Sequence, residues 1–193
     1  MKALLGIKKG MTRIFRDEKV IPVTIVEVKD CVLSNKEEKG FELGLGEKKH
    51  PNKAMTGKYS EVKRVPRFRQ YFRGSLENSI GEEIKADVFE AGEKVTIMGV
   101  SKGKGFQGVV KRWDFKGGQR TRGQSDRLRA PGSIGAGTDP GRVLRGKKMG
   151  GRMGQDTVTI LNKEVVDIKG EYLLISGPLP GSDGDLIAIY TEK

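Results

Sequence analysis

Arginine dominates the basic residues in the middle of the chain, and guanidinium chemistry suits a nucleic acid. The planar guanidinium group binds a phosphate through two parallel hydrogen bonds and stacks on bases, which the ammonium group of lysine cannot do. Lysines extend the basic stretch on both sides, and one tryptophan adds a ring that can stack on a base. The candidate binding residues are Lys102, Lys104, Lys111, Arg112, Trp113, Arg120, Arg122, Arg127, Arg129, Arg142, Arg145, Lys147, Lys148 and Arg152.

The charge of the chain is concentrated around these residues. The 193 residues carry a formal charge of +12, and the pI is near 9.8. Residues Gly99 to Gly154 hold 14 Lys and Arg, three Asp and Glu, and 15 of the 28 glycines. The rest of the chain is nearly neutral, with 23 basic and 22 acidic residues. Charge segregated in this way marks a surface for a polyanion, with nucleic acid favoured over an acidic membrane.

The segment Gly99 to Gly154 also lacks the apolar periodicity of a core. Its glycines, as in GVSKGKGFQG and GKKMGGRMG, let the backbone approach a partner closely. A loop this long inside a compact domain is usually functional or disordered. A disordered basic loop with no fixed partner is therefore an alternative, although disordered glycine- and arginine-rich segments also bind RNA. We expect the segment to be disordered in the free protein and to fold on binding.

Motifs for catalysis and metal binding are incomplete. There is no GxxxxGK[ST] loop, and the SxxK pattern at Ser101 to Lys104 lacks its usual partner motifs. The single histidine, His50, has no ligand-like spacing to another residue, so neither a metal site nor a cofactor is expected. An enzyme acting on a phosphate-bearing small molecule is therefore strongly disfavoured, and the chain is predicted not to be an enzyme.

Membrane and export signals are not expected either. The sequence has no apolar run of about 18 residues and no signal-peptide pattern. The single cysteine, Cys31, excludes an intramolecular disulfide and is expected to be a small buried side chain. These features predict a cytoplasmic protein with no membrane partner.

Short runs typical of strands lie on both sides of the basic segment. VIPVTIVEV, DCVLSN, GFELGLGE, EEIKADVF and EKVTIMGVS precede it, and DTVTIL, EVVDI, EYLLISG and DLIAIY follow it. Their short connections favour antiparallel pairing. Pro22 is expected at a strand start or edge, since it has no N–H for the ladder. The basic segment is therefore predicted to be an excursion from one mainly β domain.

A second basic stretch, about residues 48–76, is predicted to be loop with one short helix. Its aromatic residues are Tyr59, Phe68, Tyr71 and Phe72. Basic residues beside aromatics can pair with or stack on RNA. Alternatively, these rings anchor an insertion to the β domain, and the sequence favours neither interpretation.

Several motifs, in order along nearly the whole chain, resemble the bacterial L3 family of large-subunit ribosomal proteins. They are GIKKGMTRIF, IPVTIVEV, GLGEKK, KGKGFQGVVKRW, PGSIG, DPGRV, GKKMGGRMG and PLPG before DLIAIY. The run from Phe89 to Arg112 is similar to the family signature, which ends in SKGKGxxGxxxR.

The resemblance implies an antiparallel β-barrel of the translation-protein kind, made of residues 1–98, with the insertion at about 48–76, and residues 155–193. Residues 99–154 would form a long, mostly irregular extension that threads through large-subunit (23S-type) rRNA towards the peptidyl transferase centre. It also implies a cytoplasmic structural component of the ribosome, which helps nucleate subunit assembly and contacts neighbouring ribosomal proteins.

The resemblance places the tip of the extension in PGSIGAGTDPG. The tip residues are Gly132, Ser133, Ile134, Gly135, Thr138, Asp139 and Pro140. Thr138 stands where some relatives have a glutamine that is methylated, which puts that modification in doubt. Thr96 departs from an acidic or amide position of the signature, and Arg122 and Leu128 stand at positions that are often histidine.

One rival interpretation keeps nucleic-acid binding without the ribosome. The same charge pattern would suit a nucleic-acid chaperone, which would dissociate from ribosomes in high salt.

Overall fold

The computed structural model describes residues 1–16, 18–62 and 64–191, and its fold is mainly β, as predicted. The strands are β1 (Ala3–Arg16), β2 (Lys19–Glu27), β3 (Cys31–Glu37), β4 (Gly40–Glu47), β5 (Pro66–Arg73), β6 (Lys94–Val100), β7 (Phe106–Gln107), β8 (Gly151–Arg152), β9 (Thr157–Lys169), β10 (Tyr172–Ser176) and β11 (Leu186–Tyr190). The helices are α1 (Lys53–Lys58), α2 (Val109–Trp113) and a 3₁₀ turn, Ala86–Val88.

The chain divides into two compact units. The first unit comprises Met1–Ser101 and Thr157–Lys193, and the second comprises Lys102–Asp156. All strands except β7 and β8 belong to the first unit.

Six strands of the first unit form a closed ring of antiparallel pairs. Their order is β1, β11, β6, β9, β10 and β2, and β2 pairs back to β1. Each of these strands therefore has a hydrogen-bonding partner on both sides, which removes the free edges that expose unpaired backbone groups.

The run VIPVTIVEV forms strand β2, as the sequence predicts. Pro22 pairs with Arg13 of β1, and the pairing of β2 with β10 ends one residue away, at Val23 and Ser176. Pro22 thus lies where β2 has passed the end of β10, in agreement with the expected edge position.

A three-stranded sheet in the order β3, β4, β5 completes the first unit. The run EEIKADVF does not form a strand as predicted. It contributes an isolated bridge from Glu83 to Val32 and then the 3₁₀ turn. The prediction for residues 48–76 was right about a short helix, α1, but it missed β5, whose alternating pattern is hidden by its many arginines.

One apolar core joins the ring and the sheet. It includes Leu4, Leu5, Phe41 and Ile97, all with no exposed surface. Cys31 is buried in this core, as expected, and burial raises the pKa of its thiol to about 12. β6 and β9, the strands that precede and follow the second unit, contribute Val95, Ile97 and Val165 to this core.

Neither helix in the described part of the chain is long and apolar enough to cross a membrane.

Candidate nucleic-acid interface

The two ends of the second unit pair with each other and form what we call the stem, residues 102–113 and 147–156. Phe106 of β7 lies opposite Arg152 of β8. The ladder continues through backbone hydrogen bonds from Lys104 N to Met153 O (2.9 Å) and from Met153 N to Gly105 O (3.0 Å). The short strands therefore give a defined base to a segment that has little apolar sequence.

The side chains of helix α2 close the stem at the carbonyl oxygen of Met149. The indole Nε1 of Trp113 donates to this oxygen at 2.8 Å, and Nη1 of Arg112 donates to it at 3.0 Å. The Arg112 guanidinium lies 5.0 Å from the centre of the Trp113 ring, and Nζ of Lys148 lies 5.5 Å from it. Cation–π attraction adds to these hydrogen bonds.

Two glycines of the stem, Gly151 and Gly154, lie close to atoms of the opposite arm. A Cβ atom at Gly151 would overlap the Arg112 guanidinium, and one at Gly154 would overlap the carbonyl oxygen of Lys102. Gly154 also has φ of +77°, a conformation that side-chain-bearing residues rarely adopt. The geometry of the stem thus requires a glycine at 154, whereas the Arg112 side chain could move away from a Cβ at 151.

Beyond the stem, the backbone of residues 117–118 lies close to the backbone of residues 127–128. The backbone N–H of Gly118 donates to Leu128 O at 2.9 Å. A side chain at Gly117, whose φ is +73°, would overlap the same carbonyl oxygen. This contact closes a small loop that carries Arg120 and Arg122.

The predicted tip residues are exposed and held by local hydrogen bonds. Ser133 Oγ donates to Gly135 O at 2.9 Å, and Gly141 N donates to Gly137 O at 3.1 Å. Thr138 is exposed and available to solvent. The exposed residues of the predicted tip are Gly132, Ser133, Ile134, Gly135, Thr138, Asp139 and Pro140.

The predicted binding cations are exposed, except Arg112, which is partly buried. The carboxylates within residues 102–155 are Asp114, Asp126 and Asp139, and none of them forms an ion pair with a Lys or Arg that the structure describes. These three carboxylates thus do not neutralise the positive charge of residues 102–155, which can act on an external anion.

The structure brings only some of the predicted residues together. Arg112, Trp113 and Lys148 form one cluster in the stem, whereas the arginines between 120 and 145 are spread along the exposed backbone. This arrangement offers many separate contacts to a polyanion instead of one enclosed pocket. It suits a long phosphate backbone better than a small anionic ligand.

Sequence reasoning missed the structural part of Trp113 and the basic face of β5. The Met149 carbonyl oxygen that receives both α2 side chains has no sequence signal. The face of β5 has one, because Pro66, Phe68, Gln70 and Phe72 alternate with exposed residues.

Within residues 1–16, 18–62 and 64–191, no group of three His, Cys, Asp or Glu residues is placed to hold a metal ion.

Comparison with known proteins gives consistent matches. Residues 71–178 match the family model described as ribosomal protein L3. The chain is 43% identical to the large ribosomal subunit protein uL3 of Herpetosiphon aurantiacus over 202 residues, which cover 98% of this chain and 95% of the relative. It is 42% identical to the uL3 protein of Chlorobium limicola, with all of both chains covered. It is 40% identical to that of Thermosipho africanus, with 100% and 99% covered.

Proposed function

The chain belongs to the ribosomal protein L3 family, and from this membership we propose that it is a structural constituent of the large ribosomal subunit that binds large-subunit rRNA. The observation that carries the proposal is the second unit, whose predicted binding cations are exposed except Arg112, and in which Asp114, Asp126 and Asp139 form no ion pair among the described residues. The relatives named above are called large ribosomal subunit proteins.

The proposed mechanism is neutralisation of converging phosphates. RNA helices repel each other where their backbones meet, and a chain of arginines and lysines between them removes that penalty. Glycines along the segment allow the peptide backbone to approach the RNA surface, and guanidinium groups supply bidentate contacts to phosphates. The segment thereby lets rRNA helices pack, and the chain acts by assembly without a catalytic role.

The family membership supports finer proposals as well. The ring of the first unit is a translation-protein-type β-barrel that anchors the chain at the subunit surface. Residues 99–154 reach from it towards the peptidyl transferase centre, with the 132–140 tip leading. The chain binds early during assembly, contacts neighbouring ribosomal proteins, and works in the cytoplasm as part of the ribosome.

Salt dependence of rRNA binding tests the electrostatic mechanism. If about ten cations contact phosphates, log affinity should fall with log salt concentration at a slope of roughly −7 to −9. Titration of a large-subunit rRNA fragment at several salt concentrations measures this slope. A salt-independent affinity would contradict the mechanism.

Sedimentation separates a ribosomal constituent from a nucleic-acid chaperone. We expect the chain to remain in a one-to-one ratio with large subunits when a cell lysate is centrifuged in high salt. A chaperone held only by exposed charges would dissociate under these conditions. Its appearance in the free fraction would contradict the ribosomal proposal.

A further inference from the structure

Strand β5 presents a row of arginines outside the second unit. Arg67, Arg69 and Arg73 are exposed, whereas Phe72 is buried and Phe68 packs against the core. Because alternate residues of a strand face the same side, these arginines share one face with Tyr71. Neighbouring positions on this face are roughly 6.8 Å apart, from a rise of about 3.4 Å per residue.

Tyr71 is the aromatic residue within this row of arginines. A Cβ atom at Gly40, on the adjacent strand β4, would lie 2.5 Å from the Tyr71 hydroxyl oxygen and 2.6 Å from Cζ. The hydroxyl end of the Tyr71 ring therefore lies close to Gly40, and Tyr71 still has 40% of its surface exposed. An aromatic ring exposed in this way is a surface on which a nucleobase can stack.

The arginines of β5 keep their charge available. Glu42, which pairs with Tyr71 across the two strands, forms an ion pair with Lys58 at 2.9 Å. Its carboxylate also accepts a hydrogen bond from the Tyr59 hydroxyl at 2.5 Å. Arg69 donates to the Tyr59 hydroxyl at 3.1 Å, which fixes the side chain without neutralising it. Among the residues that the structure describes, Arg67, Arg69 and Arg73 form no ion pair. The face is complementary to an anion.

Strand β5 is also an edge strand, and a concavity lies beside it. The sheet order is β3, β4, β5, so β5 pairs on one side only. A cavity of about 590 Å³ borders the strand and is lined by Met1, Tyr71, Arg73 and Met98 among others. The cavity leaves open space beside Tyr71 and Arg73, and its volume is large enough for a nucleotide.

We propose that this β5 face, formed by Arg67, Arg69, Tyr71 and Arg73, binds a single-stranded segment of RNA. One unpaired base stacks on Tyr71, and the flanking phosphates contact Arg69 and Arg73. The proposal rests on the proposed function only in that the chain binds RNA, and the β5 face is a contact additional to residues 102–156. Charged residues on an edge strand also prevent aggregation, but that role does not require a partly exposed aromatic ring among the arginines.

Photocrosslinking of the full chain tests this proposal. The probe is an oligouridine of about ten nucleotides, a length typical of single-strand sites, that contains 4-thiouridine. Crosslinked peptides are identified by mass spectrometry. We expect crosslinks within residues 66–73 in addition to those within residues 102–156. Tyr71→Leu should weaken the β5 crosslink about fivefold or more, because a stacked base is lost, and should leave crosslinks in residues 102–156 unchanged.

Two control variants separate stacking from folding. Tyr71→Phe keeps the ring and should retain the β5 crosslink. Tyr172→Leu removes a tyrosine of matched exposure, 41%, on strand β10 and should leave the crosslink unchanged. An Arg69→Gln, Arg73→Gln double variant should also weaken the β5 crosslink.

Three results would overturn the proposal. Crosslinks confined to residues 102–156 would reject the β5 site while leaving rRNA binding intact. An equal loss in Tyr71→Phe would assign Tyr71 a role other than stacking. Protection of the β5 edge from hydrogen exchange by a polyglutamate peptide, with no RNA crosslink there, would make the occupant an acidic protein segment. A lack of any crosslink, in either unit, would instead count against the proposed function itself.

Discussion

Trp113 has a structural role in the stem that its residue type does not predict. A tryptophan among cations suggests a ring that stacks on a base. In the structure its Nε1 donates to Met149 O, and two cations lie near its ring. The ring is 37% exposed, so a contact with RNA is compatible with this role. At the scale of the residue, however, the indole N–H connects the two arms of the stem.

Trp113→Phe tests this role, because it keeps an aromatic ring and removes the N–H donor. A neutral hydrogen bond contributes about 0.5–1.5 kcal/mol net. We therefore expect the amides of Lys104 and Met153 to exchange about two- to tenfold faster in the variant, measured by hydrogen exchange. Amides of β6 in the first unit serve as the internal control. Unchanged exchange in the stem would show that the indole N–H contributes nothing there.

At the scale of elements, the stem depends on backbone shape more than on apolar packing. Val109 is the buried hydrophobic residue of the second unit among those that the structure describes. Strands β7 and β8 have two residues each, which is too short to be stable without further support. Close backbone approach at Gly154 and the hydrogen bonds to Met149 supply that support.

Gly154→Ala should open the stem. The substitution places Cβ against the Lys102 carbonyl oxygen and forces alanine into a left-handed conformation, which alone costs about 1–2 kcal/mol. We expect a total cost above about 2 kcal/mol, and hence at least about thirtyfold faster hydrogen exchange at Met153 N–H.

Two matched glycines divide the cost of Gly154→Ala into its parts. Gly105 has φ of +67° but open space around its Cα, so Gly105→Ala should show the conformational cost alone. Gly103 has neither a left-handed conformation nor a close neighbour, so Gly103→Ala should be nearly neutral. Equal effects at Gly103 and Gly154 would show that close approach does not hold the stem.

The charge of strand β5 obscures its strand pattern in the sequence. Its run PRFRQYFR alternates inward and outward residues, which is the pattern of a strand, yet four consecutive alternate positions include three arginines. The high charge favoured the interpretation as a loop. The structure bears on the alternative that the sequence left open: Phe72 is buried in the core and anchors the insertion, Tyr59 is buried and contacts Glu42 and Arg69, and Tyr71 is exposed.

At the scale of the molecule, the first unit has the apolar core and the second has the excess charge. The buried cluster that includes Leu4, Phe41 and Ile97 lies entirely in the first unit. Burial of apolar surface is the main favourable term in folding. Residues 102–156 bury little apolar surface and therefore contribute little to stability in this way. The two units are therefore expected to respond differently to truncation.

Deletion of Arg120 to Lys147 should leave the first unit folded and abolish assembly. We expect one cooperative thermal transition within about 4 °C of the intact chain, because a change of about 1 kcal/mol shifts the melting temperature by 2–4 °C at this size. Incorporation of the deleted chain into large subunits, measured by sedimentation, should fail. Loss of the cooperative transition would contradict the division of roles between the two units.

The sequence by itself predicted a polyanionic partner and determined the mainly β fold. Charge and glycine content are sums over residue types, and they marked Gly99 to Gly154 without any knowledge of geometry. β-branched residues likewise predicted strand β2, and the alternation of Phe41, Leu43 and Leu45 predicted β4. Only the tertiary structure decided that six strands close into a ring, that Glu83 forms a single bridge, and that Trp113 and Arg112 meet at Met149 O. These features join residues far apart in the chain, and a local pattern of side chains does not specify which backbone groups will meet.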